Sequence, residues 1–266
     1  MKLKIIRYSL GFIFLAIILL AIKISEYTLL AVSIAFIFFA LNEYRKMFEA
    51  KNIQIHKYIP EFISILCAVF FVTNHQNYIT PCLVFGIFLA FAATILKNKK
   101  PYMLTTFGTI MGFMLSFCTL YIIKLFYFFN HNQIPFILIY FFAILAGDFC
   151  ASKAGPKFGK KLLSPDISPN KTIVGAIANF SATFLMSLLL IPTVKFNILG
   201  VLIFAFSTSL CSQIGDLSIS TIKRDLGIKH SSSFFLNYGG ILDRVDAFIF
   251  SAPAAFYATI FISTYL

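Results

Sequence analysis

The stretch YGGILDRVDAFIF, Tyr238 to Phe250, opens an apolar run that reaches Leu266 without another charged side chain. At about 1.5 Å per residue such a run is long enough to cross a ~30 Å hydrocarbon core, so it predicts a membrane helix. Asp243, Arg244 and Asp246 stand at its mouth. In hydrocarbon each such group costs about 2.5–3.5 kcal/mol on insertion scales, so ionisable residues there pair, line water or carry function.

The rest of the chain has the same character. Its 266 residues are 59% hydrophobic and 12% charged, with mean hydropathy +0.89, whereas a soluble domain is about a quarter charged. Runs of membrane-spanning length fall at 6–23, 27–43, 58–74, 79–97, 103–128, 134–151, 172–193, 197–219 and 241–265. They predict an all-α, polytopic integral membrane protein with about nine transmembrane helices. Residues 1–130 hold about five spans and residues 131–266 about four, the latter with longer loops at 152–171 and 220–240. Lys2, Lys4 and Arg7 precede the first run as in a signal peptide, but no A-x-A site follows, so a retained span is expected. The five cysteines all sit in apolar stretches without a CxxC pair and read as small core residues.

The net charge of +12 does not require nucleic acid, because loop lysines account for it. Nineteen of the 22 Lys and Arg residues fall on one side of the nine-span arrangement, leaving Lys23, Lys124 and Lys195 on the other. The positive-inside rule then puts the N-terminus in the cytoplasm and the C-terminus outside. Asp148 at the end of the sixth span, Asp216 in the last turn of the eighth, and Asp243 and Asp246 at the start of the ninth all fall on the cytoplasmic boundary.

Asp243 and Asp246 are three residues apart, hence on one helical face. Together with Asp216 they suit a hard divalent cation such as Mg²⁺, which takes one or two carboxylates and completes its shell with water and substrate phosphates. The plainer reading is that Arg244, Lys223 or Arg224 neutralises these aspartates. In SPDISPNKTIVG, Ser164 to Gly175, Ser168 reads as an N-cap with Pro169 in the first turn and Lys171 beside it. A helix N-terminus there would favour an anion, although a capped membrane helix with a snorkelling lysine fits as well. GPKFGKK, Gly155 to Lys161, lacks P-loop spacing and reads as a flexible basic loop. His56, His75 and His131 read as solvated loop residues; His230 shares a loop with Lys229.

STIKRDLGIKHSSSFFLNYGGILDRVD, Ser220 to Asp246, resembles the C-terminal signature of phosphatidate cytidylyltransferases, also called CDP-diacylglycerol synthases. The family pattern, S-x-x-K-R, four residues, K-D, then H-G-G-x-x-D-R-x-D, falls without a gap on Ser220, Lys223, Arg224, Lys229, Gly239, Gly240, Asp243, Arg244 and Asp246. QIGDLSIS is similar to the family's G-D-L segment and ISPNKTIVG to its I-S-P-x-K-T-x-E-G. His230 stands where the family has Asp, Tyr238 where it has His, Leu236 where it has a small residue or Pro, and Val174 where it has Glu.

The resemblance implies a reaction between CTP and phosphatidic acid that gives CDP-diacylglycerol and pyrophosphate for phospholipid synthesis. It implies that Asp216 and Asp243 hold Mg²⁺, with a second cation left open, and that Asp246 helps hold the metal or orients Arg244. Ser168, Lys171, Lys223, Arg224 and Lys229 would then bind substrate phosphates, and Gly239 and Gly240 would let backbone approach the nucleotide. The implied partners are CTP and membrane lipid rather than nucleic acid, with a homodimer left open, in a multi-pass protein of the inner (plasma) membrane. Two other classes stay open: a catalytically silent member of this family, and a transporter with an acidic ion site.

Overall fold

The computed structural model describes residues 16, 17, 20, 21, 26–73, 75–98, 100–128, 134–228, 231 and 240–266. The first predicted span therefore lies largely outside the described residues, as do Lys99, Lys229, His230, Leu236, Tyr238 and Gly239. The helices are α1 (Glu26–Glu49), α2 (Tyr58–Val72), α3 (Ile79–Lys97), α4 (Tyr102–Phe128), α5 (Ile134–Phe158), α6 (Ile173–Ser187), α7 (Leu190–Val194), α8 (Ile198–Asp225) and α9 (Leu242–Tyr265). Between α5 and α6 lies one antiparallel hairpin, β1 (Leu162–Ser164) with β2 (Ser168–Thr172).

Among the described residues five helices are long and apolar enough to cross a membrane: Ile79–Lys97, Tyr102–Ile122, Pro135–Phe158, Ile198–Asp225 and Leu242–Tyr265. They coincide with the fourth, fifth, sixth, eighth and ninth predicted spans. The third and seventh predicted spans are helices of 15 residues each, about 22 Å at 1.5 Å per residue and so shorter than a hydrocarbon core. The second is α1, whose last turns carry Glu43, Arg45, Lys46 and Glu49.

The chain forms two compact units, residues 1–123 with 223–245 and residues 124–222 with 246–266. In the first, α2 packs on both α1 and α3, with Ile63 and Cys67 fully buried. Gly86 allows the α2–α3 approach, since a Cβ there would lie 3.0 Å from Ile63 Cγ1. Small residues play this part wherever apolar helices come close without a hydrophobic gradient to drive them. His56 corrects the expectation of a solvated loop residue. It is 3% exposed, its Nε2 lies 3.1 Å from Thr94 Oγ1, and its backbone N–H donates to Thr109 Oγ1. A hydroxyl pair on α3 and α4 supplies what water would have supplied.

In the second unit α5 packs along α6. Gly147 makes that contact close, for a Cβ there would be 2.6 Å from Thr183 Oγ1. Helix α5 runs on to Phe158, so Asp148 lies well inside it rather than at its end. There Oδ1 of Asp148 accepts from Asn179 Nδ2 at 3.1 Å, and Asn179 Oδ1 accepts from Ser209 Oγ at 2.7 Å. This polar seam ties α5, α6 and α8 together. Tyr140 on α5 approaches α9 in the same way, with its hydroxyl 2.9 Å from Ser251 Oγ and donating to the Phe248 carbonyl at 3.1 Å. The five cysteines are free thiols, with Cys67 and Cys82 buried.

Candidate active site

The segment Ser164–Gly175 does not start a helix at Ser168. Ser168–Thr172 is strand β2, paired with β1 so that Ser164 faces Ser168 and Leu162 faces Thr172. The N-cap is Thr172, extended at φ −122° and ψ 156°, whose Oγ1 accepts from Gly175 N at 3.0 Å. Pro169 caused the misplacement: it suits a first helical turn, but it suits an edge strand equally. The consequence is that Lys171 sits in the strand, one residue before the cap.

The basic stretch Gly155–Lys161 is likewise more ordered than a flexible loop. It is helical through Phe158, and Gly155, Gly159 and Gly175 close around Thr172. A Cβ on Gly155 would lie 3.0 Å from Thr172 Oγ1, and one on Gly175 would lie 3.2 Å from it. The hairpin then returns to α6 through a bond from Ile173 N to the Lys161 carbonyl at 3.0 Å.

This anchoring aims Lys171 at α8. Its Nζ lies 2.8 Å from Asp216 Oδ2, while more than a third of the Asp216 side chain stays exposed, at 37%. The ammonium nitrogen is buried, and its contact with Asp216 is an ion pair without the alignment of a hydrogen bond. Buried N–H donors of this kind are rarely left without an acceptor.

Asp216 follows Gly215, and the glycine has a physical reason. A Cβ at Gly215 would lie 2.6 Å from Phe250 Cβ and 2.9 Å from the Asp246 carbonyl oxygen. Helices α8 and α9 therefore touch backbone to backbone at the turn that holds Asp216 and the turn that holds Asp246. Asp246 is 7% exposed and its Oδ1 accepts from Ala247 N at 2.8 Å. The sixth, seventh and eighth residues after Asp216 on α8 include Lys223 and Arg224, in its last turn. So α8 does not end at 219 as the apolar run suggested; it continues to Asp225. It stops in a Schellman motif at Gly227, where φ is +66°, with bonds from Gly227 N to Arg224 O and from Ile228 N to Lys223 O, both 2.9 Å.

In the first unit Lys223 Nζ lies 2.6 Å from Asp243 Oδ1. The other oxygen of Asp243 accepts from Ser231 N at 2.9 Å and Gly240 N at 3.3 Å. The bond from Gly240 N to Asp243 ties the turn just ahead of α9 to the helix's first turn. A metal contact was expected of Asp243, yet both its oxygens are engaged by N–H groups. Sequence reasoning passed over Glu43 altogether. This residue of α1 is 5% exposed, and its carboxylate accepts from Ile241 N and Leu242 N, each at 2.9 Å. The signal was present, since Glu43 is a lone carboxylate ending an apolar run.

The donor chemistry fits a hard cation. Asp216 and Asp246 stand on adjoining turns of α8 and α9, and Mg²⁺ needs only one or two protein carboxylates. Among the described residues no three His, Cys, Asp or Glu side chains gather as a metal group, so any cation there leaves most of its shell to water and substrate.

Comparison with known proteins gives these motifs a family. A sequence model of the cytidylyltransferase family matches residues 5–262, and the chain belongs to that family. The chain is similar to the phosphatidate cytidylyltransferase of Haemophilus influenzae, 30% identical over 175 residues, covering 62% of this chain and 59% of the relative. It is 38% identical over 120 residues to the phosphatidate cytidylyltransferase of Staphylococcus saprophyticus, covering 44% and 46%. It is also 38% identical over 122 residues to phosphatidate cytidylyltransferase 5, chloroplastic, of Arabidopsis thaliana, covering 45% and 30%. The chain thus spans less than two thirds of the length of these relatives.

Proposed function

We propose that this protein transfers the cytidylyl group of CTP to phosphatidic acid, releasing pyrophosphate and forming CDP-diacylglycerol. Family membership supports the reaction class, and the observation that carries the site is the buried Lys171 ammonium beside Asp216, lacking an aligned acceptor.

The lipid phosphate oxygen attacks the α-phosphorus of CTP. The new P–O bond forms as the bond from the α-phosphorus to the bridging oxygen breaks, and pyrophosphate leaves with that electron pair. A phosphate monoester has a second pKa near ~6 and is already largely ionised at neutral pH, so no strong general base is needed. Positioning and charge neutralisation carry the rate. Lys171 and Arg224 bind phosphate oxygens, and Lys223 does so from its place beside Asp243. Gly240 stands in the turn ahead of α9, where the absence of a Cβ leaves room beside the backbone. Lys229 and Gly239 belong to the same substrate-binding set, and Ser168 contributes through the strand that holds Lys171. Asp216 and Asp246 are the residues that would hold Mg²⁺, while Asp243 holds Lys223 and Arg244 adds a positive charge. When bound, the cation supplies Lewis-acid polarisation of the phosphoryl oxygens.

Such a site belongs at a membrane boundary, because one substrate is water-soluble and the other a lipid. We therefore place the N-terminus and the 152–171 and 220–240 segments on the cytoplasmic side of a plasma membrane, with the C-terminus outside. The experiment is a membrane-fraction assay with labelled CTP and phosphatidic acid, with and without Mg²⁺. Labelled CDP-diacylglycerol that needs both substrates and the cation is expected. Its absence across divalent metals would overturn the reading.

A further inference from the structure

We infer that Glu43 is a positioning residue for the nucleotide end of this reaction: from helix α1 it sets the start of α9 and, through it, the Asp243–Lys223 pair. The inference rests on the reaction proposed above and adds a residue that lies some 180 positions away in the chain from the signature motif.

Three observations converge on it, all within one compact unit. First, the Glu43 carboxylate uses both oxygens as a cap. Oε1 accepts from Ile241 N and Oε2 from Leu242 N, each at 2.9 Å. Those N–H groups belong to the first turn of α9, which has no intrahelical acceptor for them, and a carboxylate there also meets the positive end of the helix dipole. Second, the cap is buried, at 5% exposure for Glu43, and Ser231 Oγ lies at 3.5 Å from Oε2. A carboxylate held this deep must keep its donors, because an unsatisfied buried charge is costly. Third, Gly240 is shaped around it. A Cβ at 240 would lie 2.6 Å from Glu43 Cδ and closer still to Glu43 Oε2 and Ser231 Oγ. The second glycine of the G-G pair thus makes room for a carboxylate from another helix.

The neighbouring backbone positions connect Glu43 to the Asp243–Lys223 pair. Gly240 N and Ser231 N both donate to Asp243 Oδ2, and Asp243 Oδ1 holds Lys223. Two carboxylates, Glu43 and Asp243, therefore divide the N–H groups of the turn: Glu43 takes Ile241 and Leu242, and Asp243 takes Gly240 and Ser231. Without Glu43 two donors lose their acceptor and the turn has no single resting geometry. Lys223 is then held by a carboxylate that is itself unplaced.

The test uses the full chain purified in lipid nanodiscs, with E43Q, E43D and G240A compared to parent. An amide in place of the carboxylate presents an NH₂ to one of the two N–H donors, so E43Q should raise the KM for CTP about tenfold, equivalent to about 1.4 kcal/mol. The KM for phosphatidic acid should stay within twofold. E43D keeps the charge on a shorter stem and should recover part of the loss. G240A, which pushes on an intact Glu43 from the other side, should raise the KM for CTP in the same way. Hydrogen exchange of the 240–245 segment reads the cap without reference to activity, and protection at Ile241 and Leu242 should fall in E43Q. A purely structural Glu43 would lower the folded fraction, and with it Vmax, while leaving the KM for CTP parental; that result, or unchanged amide protection, overturns the inference. A parental protein that makes no CDP-diacylglycerol overturns the reaction itself and is told apart by the parental control.

Discussion

The ammonium of Lys223, in the last turn of one helix, lies 2.6 Å from Oδ1 of Asp243, in the first turn of the next helix along the chain. Both side chains are largely buried, at 12% and 9% exposure. A buried pair of this kind is weak grounds for stability, since replacing both partners by apolar groups is often neutral, whereas removing one leaves an uncompensated charge. The pair is better understood as a device that fixes the position of Lys223, which on the proposed reaction meets a phosphate.

Asp243→Asn should therefore lower CTP-dependent turnover by at least about a hundredfold, close to 2.7 kcal/mol at 1.36 kcal/mol per decade, while the protein still inserts. Lys223→Ala should do the same, and the double variant should be no worse than either single, because the two act as a unit. Steady-state turnover on matched folded protein checks this. Near-parental activity in Asp243→Asn would leave the ion pair as headgroup-level neutralisation alone.

The crossing at Gly215 gives a second prediction. An alanine there must displace Phe250 or the Asp246 carbonyl, and overpacking of this kind costs about 1–3 kcal/mol. Gly215→Ala should lower the thermal midpoint by several degrees and reduce turnover as the Asp216 and Asp246 turns separate. Gly112→Ala is the control, since its Cβ would meet Leu41 and Pro60 at an ordinary 3.5 Å. That variant should be neutral or stabilising, by up to about 1 kcal/mol of helix propensity. Equal melting curves for the two would mean that the α8–α9 approach is not tight.

How much of this was legible beforehand differs from residue to residue. The long apolar runs at 79–97 and 241–265 became α3 and α9 almost residue for residue, because an uninterrupted run of that length has few other solutions in lipid. Helix ends were misjudged wherever polar residues continued a helix past its apolar part. Asp148 and Asp216 looked terminal for that reason, and both lie inside their helices. The β1–β2 hairpin was invisible because Ser168-Pro169 satisfies the rules of a helix start and of an edge strand alike. Glu43 was visible as a residue but not as a partner, since nothing local to either segment says that α1 and the start of α9 meet. His56 failed for a similar reason: its hydroxyl partners come from helices some 40 and 50 residues away.

Thr172 offers a third prediction, about the strand that holds Lys171. Thr172→Ala removes the acceptor for Gly175 N and should cost about 1 kcal/mol of stability. Thr172→Ser keeps the hydroxyl and should melt within a degree or two of the parent. If the cap serves only the helix, the KM for CTP will be parental in both variants. If it also fixes Lys171, Thr172→Ala will raise that KM and Thr172→Ser will not, and the second pattern is expected because Lys171 and Thr172 are consecutive in β2.

His230 and Tyr238, which lie outside the described residues, carry the last prediction. They stand where the resembling family has Asp and His. If a working site has been retuned, the double change His230→Asp with Tyr238→His should alter turnover by less than about tenfold and leave the Mg²⁺ requirement as it was. If the chain is silent for want of those groups, the same double change should create CTP-dependent product from none. On the proposed reaction Asp216 and Asp246 would hold the cation without a third carboxylate, because Mg²⁺ fills its remaining positions with water and phosphate oxygen. The buried Lys171 ammonium and the Asp243-held Lys223 need neither departed residue for their own placement. Parental activity with an unchanged metal requirement in the double variant is therefore the expected result. An inactive parent beside an active double variant would overturn it, and would assign position 230 or 238 a direct role on the metal or the nucleotide.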